Sequence, residues 1–338
     1  MSSALQRLQA AFGSAWHVNA TGALQQILDE IAGAVGGGTG DSWFVNELAA
    51  NANDNNSGDV ADPFLTLDAA QAAAKANNGD VVLLMGTSHR TTPLNWAKNG
   101  VSLVGLLAGS NNNRSRISVL PVSSGLTQTQ VTALHPLVNV TGQGCSFLNI
   151  EGFHGFDGSL TPPAASVCWA EAAGRNYYDN CQFFGGGDAL TAALAGMRSL
   201  TIGGSGENLF DGCTIGLDTI VRASNPNASL ELIGGTARNK FRWSSFESYC
   251  SDASDVHILI QSGGMDRYLM LQSCILHNFG GTALSAAITN AGGSPAGDVI
   301  LDPNCISVGA TAIATSGNVY GPIGALGATT WGIGGLLT

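Results

Sequence analysis

The sequence predicts a β-solenoid, a mainly β protein whose short strands wind into successive coils, with a short α-helical arm at its N-terminus. Three observations predict this class. Small residues recur at intervals of 30 to 32 residues, short alternating segments are separated by Gly and Asn, and the 338-residue chain has 46 glycines but only 11% charged residues. Ordinary globular proteins carry about 25% charged residues, so an extended body with uncharged polar faces suits this composition better.

The first 38 residues are predicted to form the helical arm. Asn19 or Thr21 can cap the start of a helix, and the glycines at 36–38 end the pattern. Apolar residues fall at helical spacing over about four turns: Leu24, Ile27, Leu28, Ile31 and Val35. We expect this amphipathic helix to cap the end of the body, to act as a docking arm, or to form a three-stranded bundle in a homotrimer.

Residues 39–305 are predicted to form the body of the protein. Its first elements are expected to be a strand, a helix and a second strand, at Trp43 to Leu48, Leu67 to Ala76 and Val81 to Met85. The loop between the first two reads D-N-N-S-G-D at 54–59, which is similar to the start of a calcium loop. Leu65 stands where an acidic residue would have to close such a loop, so a plain turn is predicted.

The rest of the body contains an internal repeat of about 31 residues. Each unit places a small residue between two apolar ones, as in Tyr178, Cys181 and Phe183. Tetratricopeptide and ankyrin repeats have similar lengths but need long helical segments, which these units lack. Cysteine can serve here as a small apolar residue that fits a tight corner. Six positions share one register and are predicted to form an inward-facing ladder: Ile150, Cys181, Cys213, Ser244, Cys274 and Cys305.

The C-terminal tail, residues 306–338, contains no charged residue, since the last one in the chain is Asp302. A solenoid exposes its final coil as an open strand edge, which must be covered to prevent aggregation. We therefore expect this tail to be buried against other copies of the chain or against a partner. The low charge of the whole chain also indicates subunits that hide much of their surface, which predicts a homotrimer.

Charge and cysteine patterns argue against several classes of function. The net charge is −11 and the 13 basic residues are scattered, so no nucleic-acid partner is expected. No run of 18 apolar residues and no secretion signal are visible in the sequence, so no membrane contact is expected. The seven cysteines include no Cys-x-x-Cys pair, which predicts reduced, packed thiols without disulfides. We expect no cofactor and no metal.

Three short motifs near the start of the body carry a resemblance to a known family. They read N-D-N-N-S-G at 53–58, D-P-F-L-T-L at 62–67 and G-D-V-V at 79–82. Together with the later coils, they resemble the opening of right-handed parallel β-helix proteins of the pectate-lyase-like type. The resemblance covers roughly residues 41–305 and implies a right-handed parallel β-helix of about seven coils.

This family includes polysaccharide lyases and hydrolases, and also bacteriophage tailspikes and trimeric proteins of the capsid surface. The helical arm, the short body and the uncharged tail are similar to the last group. We therefore predict a virion structural protein without enzymatic activity, a trimeric decoration or cement protein that binds the major capsid protein or another virion protein on the capsid surface. The alternative is a short tailspike or adhesin that binds or cleaves a host surface glycan.

The enzymatic alternative has its own candidate residues. The residue after the inward aromatic should point outward, and its column in the repeat reads Leu148, Asp179, Asp211, Arg242 and Gln272. If the protein is an enzyme, Asp179 and Asp211 could serve as acid and base beside Arg242, with His154, Asp157 and Asp188 on loops nearby. A column of polar residues that balances its own charge, without any substrate, is the simpler interpretation.

Carbohydrate binding without cleavage is a third class of function. Sugars stack on exposed aromatic rings, and three residues could provide such rings if they face outward: Trp169, Tyr177 and Trp243. Aromatic residues are more often part of the core or of a subunit interface. The sequence leaves both interpretations open.

Overall fold

The computed structural model of the chain describes residues 40–107, 115–156, 159–223, 227–290, 297–314, 319–321 and 324–325. The predicted fold class is confirmed, because the body is a parallel β-helix built from three sheets. The predicted helical arm at 1–38, including Leu24, Ile27, Leu28, Ile31 and Val35, lies outside the described residues. Most of the predicted tail also lies outside them.

Three sheets, here named A, B and C, run along the length of the helix. Sheet A has eleven strands: Ser42–Val45, Val81–Leu84, Ser102–Gly105, Ser146–Leu148, Tyr177–Asp179, Leu209–Asp211, Asn239–Arg242, Tyr268–Gln272, Asp298–Leu301, Val319–Gly321 and Gly324–Ala325. Sheet B has eight: Thr87–Arg90, Ser115–Val119, Ile150–His154, Gln182–Gly185, Thr214–Arg222, Ser245–Cys250, Ile275–Asn278 and Ile306–Val308. Sheet C has seven: Leu94–Trp96, Val138–Val140, Val167–Glu171, Arg198–Ile202, Ala228–Leu232, Val256–Ile260 and Ile288–Asn290.

Each coil passes from sheet A to sheet B and then to sheet C before it returns to sheet A one level higher. Tyr178, for example, is in register with Phe147 in the coil before it and with Phe210 in the coil after it. The paired strands are parallel, apart from the last two of sheet A. Sheet B continues beyond residue 305, where the sequence places the end of the body, through the strand Ile306–Val308.

In the described ranges, three short α-helices and one 3-10 helix interrupt the strands: Leu67–Ala73, Gln128–Ala133, Ala189–Ala192 and Val122–Ser124. The first α-helix buries Leu67 and Ala70 against the first coils. Its cap residue Thr66 accepts a hydrogen bond from the Ala69 amide, as N-cap threonines do. The Asp54 carboxylate accepts hydrogen bonds from the Leu65 and Thr66 amides at 3.0 and 2.8 Å, so Asp54 holds the turn before this helix.

The six positions of the sequence-predicted ladder lie in the corner between sheets A and B, and all of them are buried: Ile150, Cys181, Cys213, Ser244, Cys274 and Cys305. The Ser244 hydroxyl accepts a hydrogen bond of 3.1 Å from the Cys213 amide. All seven cysteines of the chain are free and buried. Their burial leaves these thiols as apolar packing groups of the corner.

A stack of aromatic rings fills the space beside this ladder. Phe147, Tyr178, Phe210 and Phe241 stand one above the other, and the ring centroids of neighbours are 4.8, 4.5 and 4.4 Å apart with nearly parallel planes. Trp169 and Phe183 meet this stack edge-on. Because one aromatic residue enters per coil, the core repeats with the same period as the sequence.

No helix in the described part of the chain is long and apolar enough to cross a membrane.

Candidate functional site

The candidate site lies on the outer face of sheet A, in the middle coils of the body. Side chains alternate between the two faces of a strand, so Tyr178 points into the core while Tyr177 and Asp179 point outward. Strand register places Asp179 beside Asp211, and Asp211 beside Arg242. The same column runs from Leu148 at one end to Gln272 at the other. The structure therefore brings together the three residues that the sequence names for an enzymatic function.

The two carboxyl groups of this column have different electrostatic surroundings. The Arg242 guanidinium forms an ion pair with Asp211. The pKa of Asp179 is raised above its usual value, because desolvation and the nearby negative charge of Asp211 outweigh the hydrogen bond from Tyr177 and the charge of Arg242. Burial likewise raises the pKa of Tyr177 to about 12, so its hydroxyl stays protonated. The pair thus combines an ion-paired carboxylate with a neighbour that holds its proton more strongly.

An exposed indole ring adjoins the column. Trp243 follows Arg242, leaves 64% of its surface exposed, and has its ring 4.8 Å from the Arg242 guanidinium carbon. Its backbone φ is +50°, in the left-handed region that bulky residues avoid. The corresponding corner residues Asn180 and Gly212 have the same backbone conformation, which Asn and Gly adopt more readily. The corner therefore turns the indole outward, beside the charged column.

The other aromatic candidates fall into different places. Trp169 is only 1% exposed and packs against Phe147 and Phe183, so it belongs to the core. Tyr177 is half-buried beside Asp179. Only Tyr177 and Trp243, of the three residues named from the sequence, can meet a sugar on the outer surface.

The loop residues suggested from the sequence do not join the site. His154 is buried and its Nε2 lies 2.7 Å from the Leu134 carbonyl oxygen, while burial lowers the pKa of His154 to about 4. Asp188 caps the helix Ala189–Ala192 and accepts a hydrogen bond from the Phe156 amide. Asp157 lies outside the described residues. Within the described ranges, no group of three or more His, Cys, Asp or Glu side chains is arranged to hold a metal ion.

Replacing Asp179 by Asn is expected to stabilise the protein at neutral pH. The folded state binds the Asp179 proton more tightly than the unfolded chain, so wild-type stability falls as the pH rises from about 4, the usual carboxyl value, through the raised pKa. Asparagine has no proton to lose in this pH range, so the variant does not undergo this loss of stability. Thermal unfolding at pH 7 should give a higher melting temperature for Asp179→Asn, and the difference should shrink as the pH falls below about 4. Equal melting temperatures at both pH values would contradict the raised pKa.

A second polar cleft, which the sequence did not indicate, lies on the outer face of sheet B. It has a volume of about 330 Å³ and its polar lining comprises Thr87, His89, Arg116 and Ser118. The repeat that is visible in the sequence begins at Ile150. It therefore does not align the two earlier strands of sheet B, Thr87–Arg90 and Ser115–Val119. The structure alone brings them side by side.

Comparisons with solved structures show a similarity in fold. No protein-family model matches the sequence, and a search of curated proteins finds no match. Three similar solved structures are a deglycosylated pectin methylesterase from Aspergillus niger, the pectate lyase Pel9A and a tailspike protein of the Acinetobacter phage vB_ApiP_P1. Identity to them is 13%, 13% and 12%, with TM-scores of 0.47, 0.47 and 0.36.

These alignments are long, although the sequences differ widely. They cover 83%, 90% and 77% of this chain and 83%, 83% and 52% of the respective structures. At such identities the shared property is the fold. The prediction that the chain is not an enzyme is nevertheless contradicted, because the similar structures include several pectin methylesterases and a pectate lyase.

Proposed function

We propose that the outer face of sheet A binds a polysaccharide and cleaves it by hydrolysis. One observation carries this proposal: two carboxyl groups lie in register on adjacent strands, one ion-paired with Arg242 and the other with a raised pKa. Glycoside hydrolysis needs such a pair, one group to donate a proton and one to act as a charged carboxylate.

The roles of the two residues follow from their surroundings. Asp179, which holds its proton more strongly, would donate it to the oxygen of the leaving sugar. Asp211, ion-paired with Arg242, would attack or stabilise the anomeric carbon. Adjacent parallel strands lie about 4.8 Å apart, which is close to the separation of about 5 Å that retaining glycosidases use. Trp243 would provide the stacking surface for a neighbouring sugar ring.

This site suits the tailspike or adhesin alternative better than the role of a capsid decoration protein. A decoration protein has no need of paired carboxylates beside an exposed tryptophan, whereas a protein that cleaves a host glycan can use the carboxylates for the reaction and the indole for stacking on a sugar. The homotrimer, the contact with the major capsid protein and the location on the virion stay predictions. They depend largely on the arm at 1–38 and the tail, most of which lie outside the described residues.

Variants of the two carboxylates test the proposed cleavage. The full chain should shorten a bacterial surface polysaccharide from a screened panel, whereas Asp179→Asn and Asp211→Asn should each lower the rate by roughly a hundredfold or more. Size-exclusion chromatography of the glycan and reducing-end assays measure the effect. Asp266→Asn, on an exposed ion pair with Arg267, is the matched control and should keep full activity. The proposal fails if Asp179→Asn and Asp211→Asn both cleave at the wild-type rate. It also fails if no polysaccharide of the panel is bound or shortened.

A further inference from the structure

We propose that the cleft on sheet B is a second, independent active site, which hydrolyses short acyl esters with Ser118 as the nucleophile. This site shares no residue with the carboxylate pair of sheet A. The inference goes beyond polysaccharide cleavage and does not depend on it.

The first observation is an oriented histidine. The Nδ1 atom of His89 lies 2.8 Å from the Oε1 atom of Glu47, and the His89 backbone amide donates a 2.7 Å hydrogen bond to Oε2 of the same carboxylate. Two contacts to one carboxylate fix both the backbone and the ring of His89. Because a carboxylate accepts hydrogen bonds, Nδ1 carries the proton, and Nε2 is left as the acceptor in the neutral ring.

The second observation is the position of Ser118 on the opposite side of His89. The strand Thr87–Arg90 is the edge strand of sheet B, and its His89 amide faces Glu47 beyond that edge. Ser118 lies on the neighbouring strand, in direct register with His89. Such partners are about 4.8 Å apart and point to the same face of the sheet. Glu47, His89 and Ser118 therefore follow one another across the sheet in the order acid, base and nucleophile.

The Ser118 hydroxyl is available for this role. The bond that it donates to the Val119 carbonyl oxygen is long, at 3.4 Å. A rotation of the side chain would exchange this weak bond for one to Nε2 of His89. Catalytic hydrogen bonds often tighten only when substrate is bound.

A positive group stands beside the nucleophile. Arg116, two residues before Ser118, lines the same cleft and is held by an ion pair of 2.7 Å from its Nε to Glu151. Its guanidinium carbon also lies 5.0 Å from the centre of the Phe153 ring. A guanidinium has five N–H donors, so those not used by Glu151 can stabilise the oxyanion that forms during acyl transfer.

The chemistry balances with water as the only co-substrate. Ser118 Oγ attacks the acyl carbon while its proton moves to Nε2 of His89, and Arg116 stabilises the negative oxygen. The bond to the alcohol then breaks, and the alcohol leaves with the proton from His89. A water molecule, deprotonated by His89, attacks the acyl-serine and releases the carboxylic acid, and the proton returns to Ser118.

The walls of the cleft indicate the substrate class. Leu120, Val122 and Phe153 contribute apolar groups to the lining that can receive an acyl group, and Thr87 and His89 contribute polar ones. A volume of about 330 Å³ holds only a small ligand. The substrate is therefore a short-chain ester, such as an acetyl group on the hydroxyl of a sugar.

The test uses the full chain with p-nitrophenyl acetate as substrate and a fluorophosphonate as a covalent probe of activated serines. Wild type should release p-nitrophenol, and peptide mass spectrometry should find the probe on Ser118. Ser118→Ala and His89→Gln should lower the rate by roughly a hundredfold or more. Ser124→Ala, on the exposed 3-10 helix nearby, is the matched control and should leave both readouts unchanged.

Glu47 acts through His89, so its variant needs a further readout. Glu47→Gln removes the carboxylate that orients the imidazole, which should lower kcat by roughly tenfold or more and leave KM for p-nitrophenyl acetate within about twofold of the wild-type value. Arg116 is the other charged group that lines the cleft with His89, and it is retained in this variant. Circular dichroism must show a folded β-helix for every variant that is compared.

The proposal is overturned if the probe does not label Ser118 in folded wild type, or if Ser118→Ala hydrolyses the ester at the wild-type rate. Loss of polysaccharide cleavage in Asp179→Asn with unchanged ester hydrolysis would separate the two sites. A chain that hydrolyses the ester but shortens no polysaccharide would refute the proposal for sheet A alone.

Discussion

Phe210→Ala is expected to lower the free energy of unfolding by about 4 kcal/mol, which is the usual cost of truncating a fully buried phenylalanine. The Phe210 ring lies between the rings of Tyr178 and Phe241, with centroids 4.5 and 4.4 Å away and planes within a few degrees of parallel. It also meets the edge of Phe183. The truncation therefore removes three ring contacts at once and leaves a cavity in the middle of the stack.

The neighbouring coils cannot close this cavity. Each coil is fixed by backbone hydrogen bonds to the coils above and below it, so the strand spacing of about 4.8 Å does not shrink when a side chain is removed. Urea unfolding followed by circular dichroism measures the loss. Phe279→Ala is the matched control, since Phe279 is 46% exposed and its removal should cost less than about 1 kcal/mol. An equal loss in the two variants would contradict the role of the aromatic stack.

The repeating part of the fold could be predicted from the sequence because each coil uses the same kind of residue at the same place. The spacing of Cys181, Cys213 and Cys274 already indicates which residues of successive coils pair with each other in sheets A and B. The strand boundaries could not be predicted as well, since turns are decided by local contacts. The first strand was expected to extend to Leu48, but it ends at Val45, and the Asn46 side chain accepts a hydrogen bond from the Leu48 amide in the turn that follows.

The candidate site of sheet A was predictable to the same extent as the register. Once Tyr178 and Phe210 are aligned, the residues that follow them, Asp179 and Asp211, must be neighbours on the outer face. The different exposure of Trp169 and Trp243 could not be predicted from the residue type: Trp169 lies in the middle of the strand Val167–Glu171, whereas Trp243 follows the strand Asn239–Arg242. Only the structure shows that the Trp243 indole is turned outward, since 64% of its surface is exposed at a left-handed corner.

The cleft of sheet B could not be predicted from the sequence pattern, for a physical reason. Its triad joins Ser118 and His89 to Glu47, which precedes the first complete coil and is brought to the edge of the sheet by tertiary folding. A repeat assigns neighbours only to residues that are part of it. Sites that form where a repeat begins therefore need coordinates to be found.

The second large effect is expected for Gly216→Ala, in the strand Thr214–Arg222 of sheet B. Gly216 has a φ of +104°, a conformation that residues with a side chain rarely adopt. A Cβ atom built there would lie 1.9 Å from the carbonyl oxygen of Glu247 and 2.7 Å from the Ser229 hydroxyl. Because Glu247 is the register partner of Gly216, the two strands would have to separate.

We expect Gly216→Ala to cost about 4 kcal/mol, the sum of the backbone strain and of the damaged strand pairing. Thermal unfolding measures the total, and hydrogen exchange should show faster exchange of amides in the strand Ser245–Cys250. Gly212→Ala is the matched control, since Gly212 also has a positive φ, of +59°, but a Cβ there meets no atom within 4 Å. It should cost only about 1 kcal/mol, from the left-handed conformation itself. If both variants lose the same stability, backbone strain alone explains the effect. The close approach of the coils at Gly216 then contributes nothing to the loss of stability.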